Sequence, residues 1–97
     1  MKATKDQLII NRLADDMTIR LRPTDLANLR FYYFSKTRIC VNYFDTLLPE
    51  VWAKNNGPTL KAMGLTTVQE LGQWLLSHGV KEIKKPKPYR APMPIYD

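Results

Sequence analysis

Ninety-seven residues, 44% hydrophobic and 25% charged, suit one small soluble domain, because so short a chain rarely divides into two cores, and this composition excludes global disorder. No apolar run approaches the ~20 residues of a membrane-spanning helix, and the opening "MKATKDQLIINRLADD" acquires acids where a secretory signal stays apolar, so a cytoplasmic chain with no membrane partner is expected. The net charge of +6 is uneven: Arg20, Arg22, Arg30, Lys36 and Arg38 oppose only Asp25 within residues 17–38, while residues 39–80 carry a slight excess of acids, a distribution that favours polyanions or acidic protein surfaces.

Taken in chain order, "TKDQLIINRLADD" reads as a helix. Thr4 can cap the Gln7 amide while Gln7 reaches back, and Ile9, Leu13 and Met17 share a face. "MTIRLRP" changes period, with Met17, Ile19 and Leu21 alternating against Thr18, Arg20 and Arg22. That is either a short strand near 17–22 or an extended linker pinning three side chains to a helical core. Pro23 and the cap Thr24 start a second expected helix, "TDLANLRFYYF". Consecutive helical residues are rotated by about 100°, so Phe31 and Phe34 are assigned mostly to the core and Tyr32 or Tyr33 to the surface.

After a break at 35–37, "RICVNYFDTLLPEVWAKNN" reads as a central helix with a Cys40, Phe44, Leu47 and Val51 stripe widened by Tyr43, Leu48 and Trp52, broken near Leu48 by Pro49. "NNGP" at 55–58 is a turn, "PTLKAMG" a short helix, and "LTTVQELGQWLLSHGV" a capped helix ending at Gly79. Its buried stripe is Val68, Leu71, Leu75 and either Trp74 or Leu76. From Lys81 on, Pro86, Pro88, Pro92 and Pro94 favour extended chain. The expected architecture is therefore mainly α: four or five short helices in a compact domain of residues 1–80, followed by a basic proline-rich tail, 81–97.

Residues that carry chemistry are sparse. One His78, at a helix end, and one Cys40, in an apolar segment, cannot supply a zinc set, and a packed reduced thiol is expected. Asp15 and Asp16 point apart on a helix, and the glycines form no phosphate loop. No cofactor, no metal and no enzymatic activity are expected, nor much room for a ligand pocket of ~300–1,000 Å³.

Binding remains, in two forms. The first is an adaptor or modulator docking on a larger protein with an acidic or nucleic-acid-associated surface, such as a polymerase, nuclease or helicase, in the manner of phage or plasmid accessory proteins. It would use the basic aromatic stretch and a tail anchor of Lys84, Lys85, Lys87, Tyr89, Arg90, Met93, Ile95 and Tyr96. The alternative is direct DNA or RNA binding through Arg20, Arg22, Arg30, Lys36 and Arg38, with Tyr32 or Tyr33 stacking on unpaired bases. A helix-turn-helix in residues 58–79 is disfavoured by a second helix without Lys or Arg.

Overall fold

The structure, a computed structural model, describes residues 4–44 and 47–85. In chain order it runs α1 (Lys5–Met17), a 3-10 turn (Pro23–Asn28), β1 (Leu29–Ser35), β2 (Arg38–Tyr43), β3 (Val51–Lys54), α2 (Pro58–Ala62), α3 (Val68–Ser77) and β4 (Lys81–Glu82). The strands form one mixed sheet in the order β3-β2-β1-β4. β1 pairs antiparallel with β2, β2 antiparallel with β3, and β4 parallel with β1. The chain therefore crosses from one sheet edge to the other through α2 and α3.

The mainly helical expectation is overturned by this sheet. "LRFYYF" and "RICVNY" are two strands of a hairpin that turns at Lys36 and Thr37. Pro23 starts only a 3-10 turn, with Asp25 accepting from the Arg22 amide at 2.8 Å. β-branched and aromatic side chains suit a pleated surface, and cross-strand partners decide the conformation where local spacing fits either period. The expected Cys40, Phe44, Leu47, Val51 stripe dissolves accordingly. Cys40 and Val51 point to opposite sheet faces, while Phe44 and Leu47 are exposed. Residues 17–22 form no strand: Met17 closes α1, and Ile19 and Leu21 pin an irregular connection to the core, as the linker alternative requires.

The two long helices form as their caps dictate. Thr4 and Gln7 make the reciprocal capping box, and Ile9, Leu13 and Met17 are fully buried. Thr67 caps α3 at Glu70, Gly79 takes a φ of 87° beyond its end, and Val80 folds back into the core with its amide on the Leu75 carbonyl. Asn56, with φ 59°, makes the turn before Pro58 opens α2.

Alternation along the strands separates two faces. Leu29, Phe31, Ile39, Val41, Val51 and Ala53 join the side chains of α1, α2 and α3 in one core. The other face carries Arg30, Tyr32 and Phe34 from β1, Arg38, Cys40 and Asn42 from β2, and Trp52 and Lys54 from β3. α1 and α3 both lie on the core side, which leaves this second face free of described helices. Among the described residues no helix is long and apolar enough to cross a membrane.

Candidate nucleic-acid interface

The helix-free face gathers rings and cations that lie up to 55 residues apart in the chain. Trp52, on the edge strand β3, is edge-to-face with Tyr32 at 6.3 Å and with Phe34 at 5.8 Å between ring centroids. Phe34 is 42% and Trp52 47% exposed, whereas Tyr32 is only 8% exposed. Tyr32 is a buttress: burial, with a smaller contribution from the neighbouring Cys40 thiol, pushes its hydroxyl pKa up to about 12. Cys40, fully buried beneath the rings, has its thiol pushed up to about 11, chiefly by desolvation. The packed, unreactive cysteine expected from sequence lies here, on the side away from the helical core.

Cations frame the rings in cross-strand pairs. Arg38 lies opposite Lys54 on β3, and Arg30 opposite Lys81 on β4. Like charges directly opposite each other destabilise a sheet, so two such pairs on one face are costly unless an anion bridges them. Arg30 stacks on Phe44, 4.6 Å from its ring centroid, and donates to the Ala27 and Leu29 carbonyls at 2.9 and 2.7 Å. Lys85 places its ammonium 4.4 Å from the Phe34 centroid. The Glu50 charge adds to the raised pKa values of Tyr32 and Cys40. Beside Trp52, Arg38, Lys54, Pro58 and Thr59 border a cleft of about 330 Å³. The expectation that the chain has little room for ligand-sized clefts is thus corrected.

Of the residues singled out from sequence, the fold brings Arg30, Tyr32 and Arg38 together on this face. Tyr33 is not there. It points to the helical side, edge-to-face with Phe31 at 5.8 Å and half-buried against α3. The assignment of Phe34 to the core, with Tyr32 or Tyr33 at the surface, is therefore corrected: a two-residue period sends Phe31 and Tyr33 inward and Tyr32 and Phe34 outward. Lys36 is exposed in the hairpin turn, where its carbonyl accepts from Gln69. Arg20 and Arg22 border a separate cleft, and Arg22 is ion-paired with Asp25 at 3.2 Å.

Lys84 and Lys85 are exposed, while Lys87, Tyr89, Arg90, Met93, Ile95 and Tyr96 lie outside the described residues. Sequence reasoning did not place Phe34, Trp52, Lys54 and Lys81 together on one exposed face. The alternation in "VWAK" was the one signal for two of them.

No group of three or more metal-ligating side chains is present among the described residues. Comparison of the chain with known protein families, with curated proteins and with solved structures found no match.

Proposed function

We propose that the protein binds single-stranded nucleic acid across the helix-free face of its sheet. One observation carries the reading: the exposed rings of Phe34 and Trp52 share one sheet face with two like-charged cross-strand pairs, Arg38 with Lys54 and Arg30 with Lys81. Aromatic faces stack with any base for ~1–3 kcal/mol each, and the flanking cations track phosphate. Arg30 and Arg38 start from strand positions four residues apart along the sheet, about 14 Å at ~3.4 Å per residue, so phosphates of one strand that are separated by an intervening phosphate can meet both pairs. Duplex DNA hides its base faces and is a poor fit for this platform.

The test uses Trp52 as its own probe. Titration of the protein with a 12-nucleotide single strand, and with a duplex of the same length, should quench tryptophan fluorescence for the single strand alone. The log–log salt slope should be about −2 to −3, as expected for three or four phosphate contacts. Trp52→Ala and Lys54→Ala, read by anisotropy of a labelled strand, should each weaken binding. The adaptor reading uses the same exposed rings to dock on a larger protein and predicts the opposite: no retention of nucleic acid, and a shallow salt dependence for the protein complex.

A further inference from the structure

Beyond the end of the sheet, where β1 begins and β2 finishes, a cleft of about 590 Å³ opens between Ile19, Arg20, Arg22, Asp25, Tyr43 and Leu48. Its frame is held by named bonds. The Phe44 amide donates to the Asn28 carbonyl at 2.8 Å, and the Asn28 amide group donates to the Tyr43 hydroxyl at 3.1 Å, fastening the 3-10 turn to the end of β2. Asp25 accepts from the Arg22 amide at 2.8 Å and from Arg22 Nε at 3.2 Å, which fixes that guanidinium while leaving it further N–H donors. Arg20 is exposed and takes part in no ion pair among the described residues.

Apolar walls beside two guanidiniums, one of them uncompensated, call for a flat apolar body carrying a phosphate. We infer that the cleft takes one nucleotide, with its base against Ile19, Tyr43 and Leu48 and its phosphate against Arg20 and Arg22. The volume lies within the range of small-ligand sites. Phe44, next to Tyr43 in the chain, carries Arg30 on its ring, so the cleft adjoins one end of the cationic sheet face. Treating this nucleotide as the end of a strand lying on the sheet rests on the single-strand reading. The cleft's affinity for a lone nucleotide does not.

The experiment is an amide-resolved NMR titration of the full chain with thymidine 5′-monophosphate, thymidine, inorganic phosphate and a 12-nucleotide single strand. The monophosphate should shift Ile19, Arg20, Arg22 and Tyr43, leave Phe34 and Trp52 in place, and bind about tenfold more tightly than thymidine or phosphate. Arg20→Ala should remove about that factor, the worth of one charge-assisted hydrogen bond, without unfolding the protein, because Arg20 is exposed and has no ion-pair partner among the described residues. Equal binding of phosphate and monophosphate, shifts confined to Phe34 and Trp52, or an unchanged Arg20→Ala variant would each overturn the cleft assignment. Cleft shifts with the monophosphate, but none at Phe34 or Trp52 with the 12-mer, would sink the single-strand reading and keep the cleft. Shifts by the 12-mer on the sheet, with no cleft shifts from the monophosphate, would do the reverse.

Discussion

Gly72 is the residue on which the helical side of β1 closes. A Cβ at this position would collide with the Tyr33 hydroxyl and crowd its ring, so the strand can lie this close to α3 only over a glycine. Alanine is the better helix former by ~1 kcal/mol, yet overpacking of this kind costs ~1–3 kcal/mol, and the clash should win. Gly72→Ala should therefore lower the urea midpoint, and Tyr33→Phe in the same chain should restore part of it; an unchanged midpoint would mean that the ring moves aside freely. Cys40 gives a second residue-scale outcome. With its thiol fully buried and its pKa near 11, almost no thiolate exists at neutral pH. A thiol reagent should label it only after denaturant is added, and stoichiometric labelling of the native protein would contradict the packing described for the ring cluster.

Between elements, the joint of α1 with α3 is made by polar as well as apolar contacts. Trp74 donates its indole N–H to Asp6 at 2.7 Å, and His78 stacks on Trp74 with ring centroids 4.0 Å apart. His78 Nδ1 lies 2.8 Å from the Trp74 carbonyl, which can only accept, so Nδ1 carries the hydrogen and Nε2 faces Asp6 at 3.6 Å. The indole hydrogen bond, reinforced by His78, holds the Asp6 carboxyl below its ordinary value. A depressed carboxyl contributes stability that is present above its unfolded pKa, about 4, and is lost as pH falls through the folded value. The urea midpoint should accordingly fall below about pH 4, and Asp6→Asn should flatten that limb of the profile while leaving α1 folded. These helices were legible in the sequence because their caps are local: Thr4 with Gln7, Thr67 with Glu70 and Gly79 each act within one or two turns. The strands were not. β1 carries aromatics on both faces, so Phe31, Tyr32, Tyr33 and Phe34 hide the alternation that would betray a strand. In β2, Cys40 is buried on the ring-covered face while Ile39 and Val41 are buried in the helical core, which leaves an unbroken apolar run. Half of the site was legible for a related reason: cationic Arg30 and Arg38 stand out by charge, whereas Trp52 reads as core until β3 pairs with β2 and turns it outward.

At the scale of the whole molecule, one face of the sheet packs on the helices and the other does not, and on the proposed reading stability should separate from binding along that division. Phe31 and Leu71 are fully buried in the core shared with the helices. Truncating Leu71 to alanine should cost ~2–5 kcal/mol of stability, and the remaining folded fraction should bind a single strand as tightly as before. Phe34, Trp52 and Lys54 are exposed on the opposite face and are not part of the core shared with the helices. Phe34→Ala and Trp52→Ala should each weaken single-strand binding by ~1–3 kcal/mol, and Lys54→Ala should reduce the salt slope by about one phosphate's share. Lys54→Ala also relieves the repulsion with Arg38 across β2 and β3, so its unfolding midpoint should hold or rise even as binding falls. That opposite movement is the sharpest check, because a lysine kept for structure would lose stability on removal. Denaturation and anisotropy titrations on the same preparations of these variants decide it. If Lys54→Ala lost stability and binding together, the cation pair would belong to the fold, and the case for a phosphate-tracking face would fail with it.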